Sequence, residues 1–197
     1  MKQFFILTAV LSTVFACHSN QTETPETTKT KSDTAKKNYL PVAYYLRTEI
    51  AAVDSFPLRI MKYQVNNGKT DSGIITTAIF DRLAREFQVP ELDSSRFENN
   101  FEENSFVDRS TNLVSFTYST KDTGNGLKRV DVLLSPGSGY EKLNSIYMES
   151  MFVNKDSTLI SKMTWKAGRN FSILHIRQPR KGPETTNQTI VVWDSRE

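Results

Sequence analysis

Apolar side chains recur along this chain with two different periods, and the change between them divides it. Between Pro41 and Phe56, the residues Val42, Tyr45, Leu46, Ile50 and Val53 return at helical spacing, which gathers them on one stripe of an amphipathic helix. Pro41 suits a first helical turn, and Pro57 stops the pattern. Leu58 to Val65 is rich in β-formers and runs into Asn66-Asn67-Gly68-Lys69. Asn-Gly takes the two left-handed conformations that a two-residue hairpin turn needs, so Thr70 to Ile75 is expected to return as a strand. A second helix follows: Thr76 or Thr77 caps it, and Ile79, Phe80, Leu83, Ala84 and Phe87 form its stripe. Pro90 lies just past its end. Glu91 to Asn104 is acidic and Asn-rich, and it reads either as a short helix around Phe97 and Phe101 or as a loop.

From Ser105 onward the period drops to two. Leu113 to Thr120 places Val114, Phe116 and Tyr118 on one face, and Lys128 to Leu134 does the same with Val130, Val132 and Leu134. Ile146, Met148 and Phe152 mark the next strand, and Leu159, Met163 and Trp165 the one after, with Lys162, Thr164 and Lys166 on its opposite face. Phe171 to Arg177 carries Phe171, Ile173, His175 and Arg177 on one side; a polar loop from Gln178 to Gln188 precedes the last strand, Thr189 to Trp193. Consecutive strands joined by short turns predict an antiparallel meander of about five to seven strands. The two helices require an apolar surface, and one sheet face supplies it. The expected class is α+β, in a single domain over residues 39–197.

The first 38 residues follow neither period. Lys2 precedes an almost unbroken apolar run from Phe4 to Ala16. That is a secretory signal pattern over residues 1–16, and it is shorter than the roughly 20 residues a membrane span needs. His18 to Asn38 holds six threonines, Pro25 and Ala35 as its one apolar side chain. Such a stretch cannot offset the entropy of ordering, so residues 17–38 are expected to be a disordered Thr-rich tether beginning at Cys17. As a coil it spans about 25 Å on average and about 70 Å when stretched.

Val14-Phe15-Ala16-Cys17 resembles the lipobox of bacterial lipoproteins. The resemblance implies cleavage before Cys17 and acylation of Cys17, the only cysteine of the chain. It makes the membrane a partner through a lipid anchor, with the outer membrane, periplasmic face, as the expected location. Asn67 to Ser72 ahead of the Phe80-Leu83-Ala84 helix, with Lys162, Trp165 and Lys166 later, is similar to small lipoproteins of the Bacteroidota. Asp33-Thr34-Ala35 resembles an O-glycan acceptor of that group, and Asp156-Ser157-Thr158 does so more loosely.

The remaining composition limits the chemistry. The chain has one cysteine and two histidines, His18 in the tether and His175 in a strand. Multi-ligand Cys/His zinc sites are therefore excluded, and neither a metal nor a cofactor is expected. His175 reads as a hydrogen-bonded strand residue, and no catalytic residue is nominated. A net charge of +3 gives no signature for nucleic acid. Glu98, Glu102 and Glu103 are the densest acids and read as solvated; a carboxylate-based hydrolase would draw on them first. Lys162, Lys166, Arg169 and Arg177, near Trp165 or Tyr147, are the candidates for receiving an anionic glycan, a lipid head group or an acidic envelope protein. The leading expectation is a non-enzymatic envelope lipoprotein that binds or scaffolds a partner. A carrier for lipid or apolar cargo, using a hollow between sheet and helices, is the alternative.

Overall fold

The computed structural model describes residues 39–55, 59–136 and 141–194. The expectations for the signal segment, Cys17, Thr34 and the tether lie outside these residues, as do the helix stop at Phe56-Pro57 and the strand start at Leu58. The first helix, α1, covers Val42–Asp54; α2 covers Thr77–Ala84 and α3 Ser94–Asn100. The strands are β1 (Ile60–Asn66), β2 (Lys69–Ile75), β3 (Phe101–Asp108), β4 (Leu113–Thr120), β5 (Gly126–Pro136), β6 (Glu141–Val153), β7 (Ser157–Lys166), β8 (Asn170–Pro179) and β9 (Thr185–Val192). All nine join one antiparallel sheet in the order β2-β1-β9-β8-β7-β6-β5-β4-β3. Among the described residues the chain is thus β-rich, with nine strands and three α-helices where five to seven strands and two helices were expected.

The local devices behave as their residues dictate. Asn67 and Gly68 take φ of 46° and 81°, which closes the β1–β2 hairpin with the handedness of the flanking strands. Thr76 caps α2 by accepting from the Ile79 amide, and the helix tightens into a 3-10 turn at Arg85–Phe87. Asp93 caps α3 by accepting from the Ser95 amide. Pro90, just past the end of the α2 stripe, starts a second 3-10 turn, Pro90–Leu92.

The strand order explains why the helices lie where they do. The β1–β2 hairpin occupies one edge, with β2 outermost, while β3 forms the opposite edge. Nine strands about 4.8 Å apart put those edges roughly 38 Å from one another. The connection from Thr76 to Asn100 has to traverse that distance, and it does so across one face, burying Phe80, Ala84, Phe87, Leu92 and Phe97 as it goes. Beneath it, register aligns Phe116, Val132, Ile146, Trp165, Phe171 and Val191 in one row across six strands. The next row is Tyr118, Val130, Met148, Met163, Ile173 and Thr189. Phe80 meets Trp165, Phe171 and Trp193 with ring centroids 6.3, 5.8 and 5.4 Å apart. Phe87 adds edge-on contacts to Trp165 and Phe171. α1 closes the layer with Val42, Leu46, Ile50 and Val53. Its Glu49 accepts from Trp165 Nε1 at 3.3 Å and from the Gly168 amide at 2.7 Å, which satisfies an indole that is otherwise sealed from water.

Candidate functional site

The four basic candidates do not form one patch. Side chains alternate along a strand, so Lys162 and Lys166 point from β7 to the face away from the helices, where both are exposed. Arg177 has the parity of Ile173 and His175 and pairs across the ladder with Leu159, which assigns it to the other face. Arg169 sits in the β7–β8 turn, where its carbonyl accepts from the amides of Trp193 and Asp194. The expected grouping of Lys162, Lys166, Arg169 and Arg177 is corrected accordingly. Trp165, expected beside them, is fully buried in the core.

Acids interrupt what basic surface remains. Lys162 lies opposite Glu149, which in turn lies opposite Arg129. Arg129 Nε donates to both carboxylate oxygens of Asp131 at 2.9 Å, and Tyr147 donates to Glu149 Oε2 at 2.7 Å. Burial, then the Glu149 carboxylate, push the Tyr147 phenol well above its ordinary range. The outward face of β5–β7 therefore alternates in sign, and its field at a distance is weak.

The helix-covered face carries a second constellation, missed in the sequence except for its histidine. Ser161 Oγ lies 2.9 Å from His175 Nδ1, and His175 Nε2 lies 3.1 Å from Glu86 Oε2. Serine, imidazole and carboxylate thus form one chain through β7, β8 and the 3-10 turn after α2. Two features shape its chemistry. Ser161 is buried, while the histidine and glutamate side chains are 34% and 40% exposed. Ser161 also pairs with Ser150 on one side and His175 on the other, so its backbone is committed to the ladder and offers no amide to a developing oxyanion. The chain of contacts fastens the crossing connection to the sheet, and His175 is the hydrogen-bonded strand residue its position suggested. The signal for its partner was slight: Glu86 directly precedes Phe87, the last residue of the α2 stripe.

The acidic candidates separate in part: Glu102 and Glu103 both line one depression of about 600 Å³ with Tyr39, Asn104, Thr117 and Ser119, and Glu98 does not. Glu98 belongs to α3, which ends at Asn100. Glu102 and Glu103 follow in β3 and so point to opposite faces: Glu102 pairs with Lys121 at 2.6 Å, whereas Glu103 hydrogen-bonds the Tyr118 hydroxyl. Burial first, and then Glu103, hold the Tyr118 phenol well above its ordinary range. Ser157 is buried and bonded to Asn154 Oδ1, which removes the exposure a glycan acceptor requires. Among the described residues no cluster of three or more His, Cys, Asp or Glu side chains is placed to hold a metal, and no helix is long and apolar enough to cross a membrane. Comparison of the chain with family models, with curated proteins and with solved structures returns no match.

Proposed function

We propose that this protein is a non-enzymatic envelope lipoprotein: a binding or scaffolding module held to the outer membrane by acyl groups on Cys17 and extended from it by a Thr-rich tether. Its folded part is read as one two-layered α+β domain over residues 39–197. One observation supports a module that works by its surface: the apolar sheet face is closed by the helices. Trp165, Phe171, Phe80, Phe87 and Leu46 are each fully buried, so the space a carrier would use for cargo is occupied by the protein's own side chains. This removes the main argument for the carrier reading. Glu102 is paired with Lys121 and Glu103 hydrogen-bonds Tyr118, which counts against a carboxylate-based hydrolase built on them.

The test is crosslinking in the native envelope, comparing wild type with Cys17→Ser. The reading expects wild type in the membrane fraction with a discrete crosslinked partner, and Cys17→Ser released from the membrane with that capture much reduced. A Cys17→Ser chain that stays membrane-bound and captures the same species contradicts it.

A further inference from the structure

One edge of the sheet is left fit for pairing. β3 ends the sheet, so one side of its backbone has no strand beside it within the chain. Its register with β4 runs unbroken from Phe101 opposite Thr120 to Asp108 opposite Leu113. It holds no proline and no bulge, two of the devices that spoil an edge for pairing. Phe106 and Val107 are 68% and 54% exposed, on opposite faces by alternation. Charge guards the start of the strand, where Glu102 is held by Lys121 and Glu103 by the Tyr118 hydroxyl. Just past the strand, Arg109 is exposed and forms no ion pair with another described residue.

These positions complement themselves in one register. Two copies meeting edge to edge about a two-fold axis normal to the sheet run antiparallel, and opposed side chains share a face. The axis must therefore pass through one residue of β3. Centred on Phe106, it sets Phe106 against Phe106, Ser105 against Val107, Asn104 against Asp108 and Glu103 against Arg109, the last three twice over. An aromatic pair at the centre, amide and carboxylate beside it and opposite charges at both ends each favour pairing. Neighbouring centres fail: Ser105 opposes Glu102 to Asp108, Val107 sets Phe106 against Asp108, and Asn104 sets it against Glu102. The favoured register also leaves out Phe101, whose carbonyl accepts from the Tyr39 hydroxyl at 2.8 Å. The opposite edge, β2, is less suited. An axis through Thr70 matches Lys69 with Asp71, but it brings the Asn67-Gly68 turn against Ser72 and Gly73.

We infer that a second copy of this chain docks on β3, the two strands pairing antiparallel about Phe106 so that the two sheets become one. Glu103 and Arg109 fix the register by charge. Seven residues a side make a contact well below about 1,200 Å², so the dimer is weak and reversible. It does not depend on the anchor at Cys17, and either reading can fail without the other.

Sedimentation of the full chain carrying Cys17→Ser tests this. The expected result is a reversible monomer–dimer equilibrium over micromolar to millimolar concentrations. Arg109→Glu should weaken it at least about ten-fold by opposing two carboxylates, and Glu103→Arg should do the same by opposing two guanidinium groups. Mixing those two variants should restore a heterodimer, because glutamate and arginine then meet at both ends. Phe106→Cys should oxidise to a disulfide dimer, since paired residues lie within about 5.5 Å. Asn104→Cys should not, because two copies of that position lie about 14 Å apart in this register. The inference is overturned if the chain stays monomeric up to about 1 mM, if Arg109→Glu leaves association unchanged, or if Asn104→Cys crosslinks as readily as Phe106→Cys. A mixture of the two folded charge variants that associates no better than either alone also overturns it. Glu103→Arg gives up the Tyr118 contact; where that perturbs folding, Arg109→Glu and the two cysteine variants decide the matter.

Discussion

Phe80→Ala is the substitution that most sharply probes how the helices are held to the sheet. Phe80 is fully buried in α2, early in the connection that crosses from one sheet edge to the other. Its ring contacts Trp165, Phe171 and Trp193 at centroid separations between 5.4 and 6.3 Å. Truncation removes the transfer free energy of the ring and leaves a cavity among three bulky aromatics that cannot collapse into it. Such changes cost about 3–5 kcal/mol, and aromatic pairing beyond area contributes about 0.5–1.5 kcal/mol per pair within that range. For a domain of this size each kcal/mol moves the thermal midpoint by about 2–4 °C, so a drop of roughly 6–20 °C is expected. The assay is urea and thermal unfolding of the full chain followed by tryptophan fluorescence, since Trp165 and Trp193 both report on the site. A loss below about 1 kcal/mol would refute the reasoning: it would mean that α2 is not docked on the aromatic cluster, and that the apolar face is open.

Other expectations follow from single groups. Glu49→Ala strands the buried Trp165 indole N–H and should cost about 1–3 kcal/mol in urea unfolding, with Glu49→Gln recovering most of it because an amide oxygen still accepts. Gly68→Ala meets open space but a φ of +81°, so its cost is backbone strain alone, about 1–2 kcal/mol by denaturation, with no change in the spectrum of the folded state. Tyr118 and Tyr147 should ionise well above the ordinary phenol range of about 10 in an ultraviolet titration. The unfolded phenols ionise first, so their stabilising contribution is whole below about pH 10 and is lost as pH rises towards the folded values. Tyr118→Phe and Tyr147→Phe should each reduce that alkaline loss.

What the residues disclosed unaided tracks how local the cause is. α1, α2 and the Asn67-Gly68 hairpin were legible because their stripe, cap and turn act within a few positions. The meander from β4 onward was legible because each strand pairs with the next and alternates in burial. β3 was not: as an edge strand only Phe101 is buried, and Glu102, Glu103 and Asn104 hide any alternation. The pairing of β1 with β9 joins residues such as Tyr63 and Ile190, which no local pattern connects. The same logic governs the sites. Alternation alone separates Arg177 from Lys162, so that part of the misgrouping was avoidable. The contacts of His175 with Ser161 and Glu86 arise only when the turn after α2 packs on β7 and β8, and no local pattern carries a sign of them.

The claim that the folded domain serves as an anchored module rests on Cys17, and intact mass spectrometry of the protein extracted from its native envelope tests it most directly. The expected mass is that of a chain beginning at Cys17 and carrying diacylglycerol plus a further acyl group. A chain beginning elsewhere, or an unmodified Cys17, would contradict it.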